Sequence, residues 1–266
     1  GQFLRSGRSS VLGLVVTDFE NPFFGAVSRG AQSAAASHGH SLMLMEAAYE
    51  GDAFIPFRAL DAGLVSGLLL YSISPPPDTG DRAPRVTLIE SRLPGFRSAA
   101  FNVSASFRDL ASALAVKARR VAYVDADLQR WAFQHRRSEL FAALEESAPR
   151  TEVQVIEAPL RIDVAARTIA GALGSGPAPD VIVCADDVLT AGAYHALPAV
   201  GLRSEHDIDV FTFGGTVVGH ALLPQPRGVR ASGASLGSAA IELHLDQNPT
   251  TTEVDVPTQA VLDGPC

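Results

Sequence analysis

The chain has 266 residues, 47% of them hydrophobic, enough to bury one large core or two of ordinary size. Its 29 acids against 21 bases leave a net charge of -8, and the bases are scattered, which argues against binding of a phosphate backbone by this segment. Two cysteines, Cys184 and Cys266, exclude a disulfide framework and a cysteine-rich zinc site, and no apolar run reaches the roughly 20 residues that span a bilayer.

Short apolar, β-rich runs recur along the chain: 11–16 (VLGLVV), 41–47, 67–72, 85–91, 120–126, 152–158, 180–186 and 209–214. Continuous runs of this kind are expected where a parallel sheet is covered on both faces. Between them lie alanine-rich segments at 22–38, 104–118, 129–147, 162–173, 188–197 and 233–246, long enough for helices of three or four turns. Strand and helix alternate, so the fold class is α/β. The alternation restarts after LIESRLPGFRSAAFNVS (88–104), which predicts two doubly wound parallel-sheet lobes. A ligand is expected in a cleft between them, where the strands' carboxyl ends lie. The Pro-rich piece 73–85 reads as a surface loop.

The opening GQFLRSGRSS lacks the apolar core of a signal peptide, so a cytoplasmic protein is expected.

The turn TDFENPFF (17–24) carries the first candidate chemistry. Asn21 caps a helix, Pro22 takes the first helical position where its missing N–H costs nothing, and Phe24, Val27 and Ala31 face a core. The same turn follows a strand's carboxyl end, so Asp18, Asn21 and an aromatic face could also meet a polar ligand. CADD (184–187) repeats the arrangement with two carboxylates, either of which can cap the following helix or hold a ligand hydroxyl or amine. QHRRSELFAAL (134–144) brings Arg136 and Arg137 into a helix, one expected at the surface and the other as a bidentate donor. GASLG (233–237) matches the nucleophile elbow of hydrolases at Ser235, but QPRGVRAS before it reads as a poor strand and no histidine follows at a suitable place. His38 and His40 flank Gly39 and read as a helix end rather than as metal ligands. NVS (102–104) fits the glycosylation sequon, which matters only in a secreted protein.

Together, LRSGRSSVLGLVVTDFENPFFGAVSRGAQSAAASHGHSLML, LVSGLLLYS (64–72), RRSELFAAL (136–144), PDVIVCADDVLTAGAYHAL (179–197) and GLRSEHDIDVFTFG (201–214) resemble the effector-binding core of the lactose-repressor type (LacI/GalR) transcription regulators. That family shares its fold with periplasmic sugar-binding proteins, and the resemblance runs from about residue 4 to 260. It implies a first lobe of 9–101 plus 230–252, a second of 102–229 plus 253–266, and in 1–8 a remnant of the linker to a helix-turn-helix head of about 50 to 60 residues that is missing here.

The resemblance also implies a pocket lined by Asp18, Asn21, Phe23, Phe24 and Glu90 from the first lobe and by Arg137, Asp186 and Asp187 from the second. Trp131, with Phe133 and His135, could stack on the ligand. Three departures stand out: the family's GFD is Thr212, Phe213 and Gly214, its pairing asparagine is Asp186, and the glycine of its GF pair is Leu140. Losing the acceptor at 214 leaves a ligand hydroxyl unpaired at about 1 to 3 kcal/mol, so an altered effector is expected. The implied protein is not an enzyme and needs no cofactor or metal. It senses a small sugar-like effector, acts on operator DNA through the missing head, and is a homodimer. The alternative is a solute-binding protein of a transport system with the same fold.

Overall fold

A computed structural model describes residues 9–47, 54–75, 79–126, 130–204 and 206–262. The chain forms two units: the residues up to Phe101 with Ser232–Val256, and Asn102–Ala231 with the residues from Pro257 onward.

The first unit begins with β1 (Val11–Val16), α1 (Pro22–Ser37), β2 (Ser41–Glu46), α2 (Phe54–Asp61) and β3 (Gly67–Tyr71). A 3-10 helix over Gly80–Arg85 leads into β4 (Val86–Ile89) and β5 (Arg97–Asn102). The second unit follows with α3 (Ser104–Lys117), β6 (Arg120–Ala126), α4 (Trp131–Ser147), β7 (Glu152–Ala158) and α5 (Ile162–Gly174). It continues through β8 (Val181–Cys184), α6 (Asp187–Ala199), β9 (Asp209–Gly214), α7 (Val217–Ala221) and β10 (Arg227–Arg230). The chain then returns to the first unit as α8 (Gly233–Leu245) and β11 (Glu253–Pro257), and β12 (Gln259–Val261) belongs to the second.

Each unit is built on a six-stranded sheet, ordered β11-β5-β4-β3-β1-β2 in the first and β12-β10-β9-β8-β6-β7 in the second. Strands β1 to β5 pair in parallel, as do β6 to β10, while β12 runs antiparallel to β10. The inner strands are buried along their length, as in GLLLY of β3 and VIVC of β8, because helices cover both faces. Asn21 caps α1 by accepting the Phe23 N–H, Pro22 stands at its first turn, and Phe24, Val27 and Ala31 are buried. Helices α1 and α8 touch backbone to backbone: a Cβ on Gly30 would lie 1.9 Å from the Ala234 carbonyl oxygen, and one on Gly237 2.0 Å from that of Val27. Arg97 closes α8, its guanidinium donating to the carbonyls of Leu243 (2.6 Å), Asp246 (2.8 Å) and Asn248 (3.0 Å), a favourable charge at the negative end of a helix.

Several expectations change. β5 (RSAAFN) has few β-branched residues, yet Ser98 to Phe101 are buried between β4 and β11. QPRGVRAS contains a strand after all, β10, whose four residues pair with β9. Arg230 and Ala231 therefore belong to the second unit rather than the first. Glu253–Val256 belong to the first, because β11 stands beside β5 and the Ser98 N–H donates to the Thr252 carbonyl at 2.8 Å. The segment 73–85 is not simply a loop: Ile73 and Thr79 are buried and its end is the 3-10 helix. Residues 1–8, expected to be a linker remnant, lie outside the described residues, as does Cys266.

Candidate functional site

In the first unit the carboxyl ends of the parallel strands carry aromatic rings over a buried acid. Phe23, on the first turn of α1, packs edge-on against Phe24 (5.9 Å between centroids), Tyr71 at the end of β3 (5.7 Å) and Phe101 at the end of β5 (6.2 Å). Phe24 lies beneath, 4.8 Å from Tyr71 and buried, whereas Phe23 is half-buried. The strand β4 stops at Ile89 because Glu90 takes a positive φ of 51°, which turns its carboxylate inward. One Glu90 oxygen then accepts the Phe101 N–H at 2.7 Å. Glu90 is 2% exposed, so within this unit it braces the edge instead of lining a surface. Asp18 stands just after β1, partly exposed, and accepts the Glu20 N–H at 2.7 Å. Phe19 beside it is half exposed.

The second unit presents charge at the corresponding ends. Asp125, near the end of β6, meets Arg137 of α4 at 3.1 Å, and Glu157 of β7 lies 3.7 Å from the same guanidinium. Burial pushes the Asp125 carboxyl up to about 6, against the opposing pull of Arg137. Arg136 goes inward: its Nη1 donates to the Ala185 carbonyl at 3.2 Å, and its guanidinium lies 4.1 Å from the centroid of Phe213 and 5.2 Å from that of Phe133. Of the two adjacent arginines, then, one is buried and the other ion-paired, and neither is a loose surface charge. Trp131 stacks on His135 at 4.5 Å with an interplanar angle of 21°.

The two adjacent aspartates divide their tasks. Asp186 caps α6, accepting the Val188 N–H at 2.6 Å, and burial followed by the charge of Asp187 raises its carboxyl to about 6. Asp187 is 1% exposed and fully enclosed by its unit. It accepts the Thr212 hydroxyl at 3.0 Å and the N–H groups of Gly215 (2.9 Å) and Thr216 (2.7 Å). A Cβ on Gly214 would lie 1.9 Å from the Asp187 carboxylate. The missing carboxylate at 214 thus has a local cause: the neighbouring carboxylate occupies its side-chain space.

Of the nine expected ligand contacts, Asn21, Phe24, Glu90 and Asp187 are buried supports inside their own units. Asp18 and Phe23 stand at the edge of the first sheet, and Trp131, Arg137 and Asp186 at the edge of the second. Sequence reasoning passed over Tyr71, Phe101 and Asp125, and of the two arginines it named it carried Arg137 rather than the inward Arg136 to the pocket. Asp125 was open to detection as the one acid inside the apolar run VAYVDA, at the end of a strand where ligands collect.

Ser235 has no elbow. It sits in the first turn of α8 behind the cap Ser232, and its Oγ donates to the Ser232 Oγ at 2.9 Å. His244 lies on the same helix, hydrogen-bonded to Thr87 at 2.9 Å. Cys184 is buried, its thiol pushed up to about 12 by desolvation, and is no nucleophile at neutral pH. His38 forms the end of α1, and among the described residues no group of three histidine, cysteine or acidic side chains is placed to hold a metal. No helix among them is long and apolar enough to cross a membrane.

Two mainly parallel sheets whose strand ends carry aromatic and charged groups are the frame of a doubly wound α/β protein. The family model for periplasmic binding proteins and the sugar-binding domain of the LacI family matches residues 9–243, and the chain belongs to that family. The ribose operon repressor of Halalkalibacterium halodurans is 24% identical over 266 residues, an alignment covering 96% of this chain and 78% of the repressor. Solved structures share the fold. A LacI transcriptional regulator from a Rhodococcus species superposes with a TM-score of 0.82 at 20% identity, covering 94% of this chain and 96% of that one. The LacI family regulator CCPA from Weissella paramesenteroides, with bound glucose, gives 0.81 at 16% identity over 94% and 96%. These relatives are repressors and regulators rather than enzymes.

Proposed function

We propose that this chain is the effector-sensing core of a cytoplasmic LacI/GalR-type transcription regulator, in which a small sugar-like molecule is held by groups at the carboxyl ends of parallel strands. The observation that carries this reading is the match of the family over residues 9–243, combined with polar and aromatic side chains collected at those ends. The related repressor governs a ribose operon and one structural neighbour holds glucose, which supports a sugar-like effector. The effector acts by binding one conformation better than another, and only that difference in affinity can shift the equilibrium. In the complete regulator a homodimer passes the shift to paired DNA-binding heads on a pseudo-palindromic operator.

The test is calorimetry and thermal shift on this chain with pentoses, hexoses, disaccharides and polyols, since a ligand bound by the folded state alone raises its melting temperature. Binding is expected for at least one class, and Arg137→Ala should weaken it by roughly tenfold or more through loss of a charge-assisted donor. Failure of every class to bind would overturn the reading. A solute-binding protein for transport is the second reading, favoured by the breadth of the family, which includes periplasmic binding proteins. The coding sequence upstream of residue 1 separates the two: a helix-turn-helix supports the regulator, an export signal the transporter component.

A further inference from the structure

We propose that Asp125 is a positioning residue for the effector: it holds Arg137 by one guanidinium nitrogen and leaves the other two for the ligand, an inference that rests on the effector reading above. Both carboxylates that pair with Arg137 do so at Nη1, Oδ2 of Asp125 at 3.1 Å and Oε1 of Glu157 at 3.7 Å. Its Nε and Nη2 have no hydrogen bond or ion pair among the described residues. They form the side of the guanidinium that projects two parallel N–H groups, the arrangement that grips two neighbouring oxygens. The arginine side chain is 30% exposed and that of Asp125 3%, so Arg137 reaches outward from a buried anchor.

The anchor is itself fixed. Asp125 Oδ1 accepts the Ala126 N–H at 3.0 Å, which leaves Oδ2 for Arg137. The charged groups that face it are Arg137 and Arg136 from α4 and Glu157 from β7. Tyr123, two residues earlier on β6, is buried, and its hydroxyl has no hydrogen bond among the described residues. Stability does not account for an acid here. Burial raises its carboxyl from 3.8 to about 6 against the pull of both arginines, and a carboxyl raised on folding makes the ionised form a cost to the folded state at neutral pH. What Asp125 provides is Arg137 held in one place before the ligand arrives, and a long side chain ordered in advance loses less freedom on binding. As the pH falls through about 6, Asp125 takes up a proton and its attraction for Arg137 weakens. Affinity for a neutral ligand therefore falls between pH 7.5 and 5, and by linkage the bound ligand lowers the pH at which Asp125 protonates.

Calorimetry on this chain at pH 7.5, 6 and 5 tests the idea with neutral probes, D-ribose and D-glucose first and then the other neutral pentoses, hexoses, disaccharides and polyols. The native chain is expected to bind its best probe roughly threefold to tenfold more weakly at pH 5 than at 7.5. Asp125→Asn should bind weakly at both, without the step. The carboxyl of Asp186 also stands at about 6, so the step must survive in Asp186→Asn. Affinity independent of pH in the native chain, a step that persists in Asp125→Asn, or one that vanishes in Asp186→Asn overturns the role of Asp125 and leaves the effector reading standing. Binding by no probe overturns both. Should Asp125→Asn not fold, nitrogen-15 NMR of the native chain decides. The Arg137 Nε–H signal should move with a midpoint near pH 6, and the bound probe should lower that midpoint; a midpoint that the probe leaves in place overturns the inference.

Discussion

The two units share one strand order, with β5-β4-β3-β1-β2 in the first answered by β10-β9-β8-β6-β7 in the second, yet the chemistry at their carboxyl ends is opposite. In the first, Phe23, Phe24, Tyr71 and Phe101 interlock and the acid beneath them, Glu90, is satisfied by a backbone N–H. In the second, Asp125, Arg137, Asp186 and Asp187 form the edge. An aromatic edge is stabilised by buried area and is indifferent to pH between 5 and 8. A charged edge depends on which of its carboxylates are ionised. The fold supplies the positions, and the residues at the strand ends decide what each half can recognise.

Substitutions can break this comparison, and the largest effect is expected in the aromatic edge. Phe24→Ala should cost about 3 to 4 kcal/mol by leaving a cavity under Phe23, equally at pH 5 and 7.5, read by hydrogen exchange of the first unit. A strong pH dependence would contradict an edge held chiefly by aromatic packing. Gly214→Asp should cost about 3 kcal/mol in the second unit, since it forces a side chain and a like charge onto buried Asp187. Trp131, the one tryptophan in the chain, reports that unit's unfolding in urea by fluorescence, and an unshifted midpoint would mean that Asp187 does not own the space.

Arg137→Ala comes next, at about 2 kcal/mol for a partly exposed partner of a buried acid. It should therefore lower stability as well as affinity, which the sequence alone does not suggest. Its pH dependence has a definite sign. The folded carboxyl of Asp125 stands at about 6, above its ordinary 3.8, so the folded state binds the proton more tightly. Ionised Asp125 costs stability in full above about 6, and the cost fades as pH falls from 6 towards 3.8. Without Arg137 the ionised form is less tolerable still, so the penalty measured at pH 7.5 should exceed that at pH 5. Equal penalties would show that Arg137 does not compensate Asp125. The smallest change is Asn21→Ala, about 1 kcal/mol for a lost cap, measurable as a small drop in melting temperature.

Much of the frame is legible in the sequence because its causes are local. VLGLVV and VIVC are strands from composition and length. Asn21 with Pro22, and Asp186 two residues before the N–H it accepts, are caps whose partners lie within the same turn. β5 and β10 escaped because RSAAFN and RGVR are poor in β-branched residues and become strands through their neighbours in the sheet. Arg136 and Arg137 could not be told apart either, since adjacent helix positions point about 100° apart and α4 is too mixed in polarity to fix which of them faces inward.

By itself, then, the sequence determines the alternation of strand and helix, the helix starts and the family pattern, since each rests on residues a few positions apart. Which charges remain for a ligand is decided only by tertiary structure. Asp187 is consumed by N–H groups 28 and 29 residues further on, and the same approach removes the side chain at Gly214. Arg137 is neutralised by Asp125 of one strand and Glu157 of the next, while Asp186, adjacent in sequence to the consumed Asp187, caps its helix and has no ion pair among the described residues. Neighbours along the chain share composition, but burial and partners are set by segments that meet only when the sheet closes against its helices.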